Sequence, residues 1–486
     1  MMQANLASLK AQAKIEHITA DSRQVQAGAL FVAYQGETSD GRAYIDQAIE
    51  KGAVAVIWDD ADFIWQAGWK VPNQALSNLK QHVGKVASEF YGAPSKNLWM
   101  IGVTGTNGKT TCTHWLAQAF AAVNRQSAVI GTLGNGVLSN LSKTMNTTPD
   151  AIVLHELLAS YVANKIEVVA MEVSSHGLDQ GRVNGVAFDV AVFTNLTRDH
   201  LDYHGSMQAY GEAKRKLFEL TGLKAAVLNR DDVYGAKLAS ELIQKGQSVF
   251  TYGINKNFSG VNDIAVKNMQ LNESGITIEV MTPIGEATVH TNVIGQFNVY
   301  NLLAVLATLL ASDISLSDAV HALSMIKPVP GRMQQLGGGE YPLIVIDYAH
   351  TPDALEQALN ALRSQLSTNS EIYCVFGCGG DRDKGKRPLM GQIASSLANH
   401  IVVTSDNPRT ESPQSIIQAV MTGVNYQAVS VEDRAEAIRY AVKKAKRGDL
   451  VLIAGKGHEE YQEIAGVKYP FSDMKVAEEA LQEKAA

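Results

Sequence analysis

Residues 105 to 111, Gly-Thr-Asn-Gly-Lys-Thr-Thr, have the composition of an anion cradle. Glycines let backbone N–H groups curl around a phosphate with no Cβ in the way, a following helix turns its positive end to the same point, and Lys109 adds a full charge. Thr110 is then placed to bind Mg²⁺. The spacing is not that of the common nucleotide loop, because the glycine expected five residues before Gly108 is Val103 and the nearest is Gly105. Context favours a nucleotide site over a chance turn: an apolar, strand-like run at 98–103 precedes the loop and a helix-like run at 113–123 follows it.

Other chemistry-bearing residues fall at the ends of similar apolar runs. Glu172 closes the run 168–173, where its carboxylate suits a hard cation; a helix-capping network with Ser174 and Ser175 is the competing reading, and His176 could be structural. Asp199 and His200 follow the run 190–195, although histidine is an unusual Mg²⁺ ligand. Lys214, Arg215 and Lys216 read, on residue type alone, as three cations on a solvated helix face. Towards the C-terminus, Arg409 follows a proline and Arg382 ends a glycine-rich turn; two guanidinium forks in one cleft suit carboxylate recognition. Glu459 on a neighbouring loop could hold an ammonium, so the cleft reads as an amino-acid site. Ion pairing among Asp381, Arg382, Asp383 and Lys384 is the alternative for Arg382.

Positioning these groups calls for an α/β protein; 486 residues are enough for two to four domains, of which three are expected. Residues 1–93, with strands at 28–34 and 53–58 and a helix at 76–90, read as a small recognition domain. Residues 94–330 read as a P-loop-type ATPase domain with a parallel sheet (168–173, 190–195, 225–229), an antiparallel addition at 275–294 and a helix at 298–311. Lys327-Pro-Val-Pro-Gly331 is a hinge signal. In 331–486 strands at 343–348, 372–376, 400–405 and 450–454 alternate with helices at 352–366, 386–397, 413–424 and 434–446. This predicts a Rossmann-like domain whose polar clusters lie at the carboxyl ends of its strands. A net charge of −7 disfavours a nucleic-acid partner. Three cysteines without metal spacing, no signal-like N-terminus and no apolar run of spanning length predict a cytoplasmic protein that does not insert in membranes.

Asp21-Ser-Arg23, the loop at 105–111, Asn146-Thr-Thr-Pro-Asp150, residues 171–177, Thr194 to Asp202 and Gly295-Gln-Phe-Asn298 continue in order into Asp347 to Asp353, residues 377–388, Asp406-Asn-Pro-Arg409 and Gly455 to Glu459. Together these motifs resemble the Mur ligase family of peptidoglycan synthesis. The resemblance implies an ATP-dependent amide ligase, acting as a monomer, that joins an amino acid to UDP-N-acetylmuramoyl-L-Ala-D-Glu through an acyl phosphate, with two Mg²⁺ ions. It implies that Gly105, Thr106, Asn107, Gly108, Lys109, Thr110, Thr111, Asn298, Arg332 and Asp347 contact the nucleotide. Thr110, Glu172, His200 and a CO₂-derived carbamate on Lys214 would bind metal, and Lys109, Glu172, His200 and Lys214 would be catalytic. It further implies that Ser22, Glu37, Thr38 and Ser39 meet the uridine nucleotide, and Asn146, Thr147, Thr148, Ser174, Gln180 and Arg182 the muramoyl-peptide end. Arg382, Asp406, Asn407, Pro408, Arg409, Gly455 and Glu459 would bind the amino acid. Asp406 to Arg409 resembles the version of the family that selects meso-diaminopimelate, whose extra carboxylate Arg409 can match. A lysine-adding member, a folylpolyglutamate-synthetase-like ligase and a nucleotide-driven switch protein are the rival readings. The ligase reading carries a further expectation, that the last domain swings about 328–331 to close the site and exclude water.

Overall fold

The computed structural model describes residues 6–37, 39–144, 146–255, 262–272, 275–363, 366, 369–425 and 428–485. The chain packs as two compact units. One comprises Met1–Thr104, Asn124–Ala191 and Ala213–Ala225, the other Gly105–Val123, Val192–Glu212 and Ala226–Ala486.

The first unit begins with a parallel sheet of four strands in the order His17–Thr19, Ala29–Ala33, Ala53–Trp58, Asn73–Ala75. Ala29–Ala33 is buried throughout, as expected for an apolar run between neighbours. The helix expected at 76–90 begins later, at Leu79, because Asn78 takes a left-handed conformation at φ 55°. Its buried Leu79, Val83, Val86 and Ala87 fall at helical spacing. Gly84 on the same face is obligatory: a Cβ there would stand 1.9 Å from the Asn184 carbonyl oxygen. Next, Val168–Glu172 lies between Trp99–Thr104 and Ser127–Gly131 in parallel pairing, and the hairpin Gly134–Val137, Asn140–Ser142 extends the edge antiparallel. Asp150 caps the helix Ala151–Ala163 by accepting from the N–H groups of Ile152 and Val153.

In the second unit the helix Lys109–Ala122 follows the glycine loop directly. Strands Ala225–Asn229, Val249–Gly253 and Asp263–Asn272 pair in parallel, and Gly275–Thr282 and Gly285–Thr291 add antiparallel, as the alternation at 275–294 suggests. The helix Gln296–Leu310 is buried almost all round, which explains its near-continuous apolar sequence. From 334 onwards a six-stranded sheet runs Gln334–Gly337, Leu343–Asp347, Leu450–Ala454, Ile372–Phe376, His400–Val403, Val429–Ser430, parallel except for its first member. Helices Pro352–Arg363, Lys386–Leu397 and Pro413–Met421 cover one face through Leu355, Leu359, Met390 and Ile416. Arg434–Lys444 and Asp473–Ala485 cover the other through Ile438, Val442 and Val476. The α/β, doubly wound reading of this segment holds. The edge strand Gln334–Gly337, the helix Asp473–Ala485 and the hairpin Tyr461–Ile464, Val467–Pro470 are additions that the sequence pattern did not single out. No described helix is long and apolar enough to cross a membrane.

Candidate functional site

The glycine loop is a backbone cradle built against the segment that follows Phe193. Gly105 has φ 149° and Gly108 φ 87°; a Cβ on the first would stand 1.8 Å from Thr194 Oγ1, and on the second 2.5 Å from Asn301 Oδ1. The unusual glycine spacing is therefore matched by close approach at both positions. Thr106 N donates to the Asn195 carbonyl at 2.8 Å, Asn107 N to Asn195 Oδ1 at 2.9 Å, and Thr194 Oγ1 to the Asn107 carbonyl at 2.6 Å. Lys109 Nζ lies over the loop, donating to the carbonyls of Gly105 (2.9 Å) and Thr106 (2.8 Å), so its charge sits where an anion would enter. The start of the helix Lys109–Ala122 and the Lys109 ammonium make a phosphate site without help from a carboxylate.

Residues after 331 complete this site. Arg332 Nη2 donates to Thr110 Oγ1 at 3.0 Å, and its guanidinium stacks over the Tyr348 ring at 4.4 Å. Asn107 Nδ2 donates to Asp353 Oδ2 at 3.0 Å. Asn107, Gly108 and Thr111 of the loop, with Asn301, Arg332, Asp347, Tyr348 and Asp353, line one cavity of about 200 Å³. Buried Asp347 accepts from Met333 N at 2.8 Å; burial raises its pKa while the Arg332 charge opposes that rise. Asn298 is turned away from this cavity. Its Nδ2 donates to the Ile294 carbonyl, its Oδ1 accepts from Asn301, and it borders a neighbouring cavity with Thr111, Trp115, Pro328 and Arg332. Asn301 and Asp353 were not anticipated, although Asn301 lies one turn from Asn298 on the same helix face.

A second cleft gathers the polar loops at the carboxyl ends of the last sheet. Arg382, Asp383, Lys386, Asp406, Asn407, Arg409, Gly455 and Glu459 line it together with Tyr348, His350, Asp199 and His200; Pro408 does not. Arg409 sits at φ 51°. Its Nη1 donates to the Gly380 carbonyl at 2.8 Å and its Nε lies 3.5 Å from Glu463 Oε2. The surface pairing considered for Arg382 does not form: Asp381 accepts from Thr410, Asp383 pairs with Arg198 at 3.2 Å, and Lys384 with Glu411 at 3.3 Å. Glu459 does hold an ammonium, but it is that of buried Lys456, at 2.7 Å, with Asn407 bridging the pair. Asp199 Oδ2 lies 3.4 Å from His200 Nε2 and 3.8 Å from His350 Nε2. Burial opposes ionisation of Asp199, yet the hydrogen bond and charge of His350, with His200 and Lys386, hold its carboxyl well below the usual carboxylate range.

In the first unit, Glu172 is buried and accepts from Thr132 N (2.8 Å) and Thr132 Oγ1 (3.2 Å), whereas Ser174 caps the next helix by accepting from Gly177 N. The carboxylate is thus not the cap. A hydrogen-bonded chain runs from Glu37 through Gln180 and Arg182 to the Thr148 carbonyl, and Thr148 Oγ1 donates to Ser174 Oγ at 3.0 Å. Glu37, Asn146, Gln180 and Arg182 line a common cavity with Tyr34 and Lys80. Thr147 pairs with Thr132 nearby; Ser22 and Ser39 do not line that cavity, and Thr38 lies outside the described residues. His176 is part-exposed on the helix Ser175–Asp179.

Lys214 corrects the reading from residue type. Lys216 is an exposed cation paired with Asp179 and Arg215 a part-buried one paired with Glu219, but Lys214 is only 1% exposed. Tyr210, Ala213, Lys214 and Leu217 are all buried at helical spacing, so the lysine occupies the apolar stripe. Among the described residues, no group of three or more His, Cys, Asp or Glu could hold a metal ion by itself. The donor chemistry still fits Mg²⁺, which keeps most of its water and takes one or two protein oxygens plus substrate phosphates.

The matches to known proteins follow the same layout. Residues 14–91 match the Mur ligase family, catalytic domain; 103–309 the Mur ligase middle domain; and 331–457 the Mur ligase, glutamate ligase domain. A Chromobacterium violaceum protein named UDP-N-acetylmuramoyl-L-alanyl-D-glutamate--2,6-diaminopimelate ligase is 53% identical, covering 96% of this chain and 94% of its own. A protein of the same name from Pseudomonas aeruginosa is 45% identical, over 96% and 95%. A solved structure described as that ligase superposes with a TM-score of 0.70 at 37% identity, covering 97% of this chain and 96% of its own. The Thermotoga maritima MurF ligase in complex with ADP shares the fold, with a TM-score of 0.67 at 18% identity over 96% and 97%. With three successive domain matches and near full-length relatives in hand, the chain belongs to the Mur ligase family.

Proposed function

We propose that this protein joins meso-diaminopimelate to the D-glutamate γ-carboxylate of UDP-N-acetylmuramoyl-L-Ala-D-Glu, at the expense of ATP. The observation that carries the reading is the placement of a phosphate cradle and an arginine-bearing amino-acid cleft in one unit, with Tyr348 bordering both cavities. The near full-length relatives bearing that ligase name support it.

The chemistry has two stages. The γ-carboxylate oxygen attacks the γ-phosphorus of ATP, the bond to the bridging oxygen breaks, and ADP leaves an acyl phosphate. The diaminopimelate amine then attacks the acyl carbon, and phosphate leaves with the bonding pair and the amine proton. Lys109 and the loop N–H groups orient the triphosphate, while Arg332 and Asp347 fix the nucleoside side of the cavity. Arg409 and Arg382 select an amino acid with a second carboxylate, because a site built around a guanidinium penalises a ligand that leaves it unmatched. Thr110, Glu172, His200 and a carbamate on Lys214 are the groups that would hold Mg²⁺, which would neutralise phosphate charge.

The carbamate reading rests on burial. Lys214 is 1% exposed, away from the solvated surface its residue type suggests. Its neutral amine would add to CO₂, forming an N–C bond and releasing one proton, which leaves an anion able to bind metal. The muramoyl-peptide end is assigned to the cavity beside Arg182. We further propose a division into 1–93, 94–330 and 331–486, a monomer, and a cytoplasmic location, where ATP is supplied.

The deciding experiment measures phosphate release with UDP-N-acetylmuramoyl-L-Ala-D-Glu and a panel of meso-diaminopimelate, L-lysine and L-ornithine. Release that requires both the muramoyl dipeptide and diaminopimelate is expected. Preference for lysine, or turnover without either acceptor, would refute the reading.

A further inference from the structure

Arg434 opens the helix Arg434–Lys444, and its side chain is fully buried behind the amino-acid cleft. Nε and Nη2 donate to the two carboxylate oxygens of Asp473, itself fully buried, at 2.7 and 2.8 Å, and Nη2 also donates to the Ala454 carbonyl at 3.0 Å. Nη1 is left over. It is buried and has no hydrogen-bond partner among the described residues, and it lies 4.0 Å from Asp406 Oδ2. That is within about 1 Å of hydrogen-bond range. A guanidinium with one nitrogen unpaired in the interior is costly, so the group that this nitrogen faces is informative.

Asp406 does line the cleft, and one of its oxygens is engaged: Oδ1 accepts from Asn407 N at 2.7 Å. Oδ2 packs against Gly455, which has φ 117° and where a Cβ would stand 2.6 Å from that oxygen. Glu459, Asp383 and Asp199 in the same cleft each stand closer to a basic side chain: Lys456 at 2.7 Å, Arg198 at 3.2 Å and His200 at 3.4 Å. Asp473 already balances the Arg434 charge, so the charge of Asp406 is left for an incoming ammonium. Asp406 and Arg409 share one turn and can face the ammonium and the carboxylate of a single amino-acid centre. Resting on the ligase reading above, we infer that Arg434 is a positioning residue for amino-acid recognition: its free Nη1 orients Asp406 Oδ2 from behind, while Asp473 cancels its charge. One buried fork thus ties the start of the last helix, the strand end at Ala454 and the recognition turn together.

The test is steady-state kinetics, with thermal unfolding, on Arg434→Lys and on the paired replacement of Arg434→Met with Asp473→Leu, which removes both buried charges together. Lysine can still serve Asp473 and the Ala454 carbonyl, but it has no second nitrogen to turn towards Asp406. In both variants the KM for diaminopimelate should rise about tenfold or more, while kcat and the KM for ATP stay within about threefold of the parent. A purely structural arginine gives another pattern: a lower unfolding temperature with a parent-like diaminopimelate KM, or equal rises in the KM of both substrates. Either overturns the inference. Should the paired variant fail to fold, the lysine variant is read alone by the same criteria. Phosphate release by the parent is measured alongside. A parent that prefers L-lysine refutes the diaminopimelate reading alone, and the same split is then read on the KM for lysine. A parent inactive with every amino acid refutes the ligase reading and this inference with it, whereas an active parent with unaltered variants refutes only the inference.

Discussion

Asn107 of the phosphate loop donates through Nδ2 to Asp353 Oδ2 at 3.0 Å, across 246 residues of chain. Together with Arg332 to Thr110 (3.0 Å), His350 to Asp199 (3.8 Å) and Arg198 to Asp383 (3.2 Å), it ties the segment after residue 331 to the nucleotide loop and to Arg198 and Asp199. Replacing Asp353 by Ala removes one of these ties. The KM for ATP should rise about 5- to 20-fold, as expected for loss of a charge-assisted hydrogen bond. X-ray scattering should show a larger radius of gyration for the substrate-free variant than for the parent, and the two should converge with ATP analogue and substrate. Identical curves in every state would count against closure about the hinge.

Arg409→Ala should raise the KM for diaminopimelate by about 100-fold or more, since a buried charged contact is worth roughly 2–5 kcal/mol. The KM for ATP should change by less than about threefold. Equal effects on both substrates would remove Arg409 from recognition. L-Lysine lacks the second carboxylate, so any turnover of it should be affected far less.

Lys214→Ala should lose most activity and regain part of it with added acetate or formate, which can place a carboxylate in the vacated space. A variant as active as the parent would end the carbamate proposal. Raising bicarbonate should leave the alanine variant unchanged.

The Arg387–Glu411 pair predicts a defined pH window. The hydrogen bond from Arg387 holds the Glu411 carboxyl at about 2, against 4.5 for the free group. A depressed pKa stabilises the fold fully above the unfolded value and is lost as pH falls from there towards the folded one. Glu411→Gln should therefore lower stability near neutral pH, by less than the full shift implies because solvent screens the pair, with the difference closing as pH falls from about 4.5 towards 2. Denaturant titrations of both proteins across that range measure it.

Gly84→Ala forces a Cβ to within 1.9 Å of a backbone oxygen. It should cost about 1–3 kcal/mol, as overpacking does, and lower the melting temperature without altering kcat in the surviving protein.

The phosphate loop was legible because its glycines, lysine and flanking runs are local in sequence. So were the loops at the carboxyl ends of the last sheet, since strand and helix alternation alone places them together. Lys214 misled when read by residue type, yet the spacing of Tyr210, Ala213 and Leu217 carried the burial that the structure displays. Lys386 and Lys456 were not legible. Each lies among glycines and other charges, where a buried lysine and a solvated one look alike, and burial depends on which distant loop comes to cover it. Asp353 was missed for a similar reason: its partner is 246 residues away, and nothing in the intervening pattern links them.

Tyr348 borders both the nucleotide cavity and the amino-acid cleft, with Arg332 over its face and the rings of His350 and His458 at 4.7 and 5.4 Å. The two ligands would thus share a single partition. A compound that wedges this ring from the nucleotide side narrows the room left for the amino acid, and would register in kinetics as a competitor of both, though it touches only one.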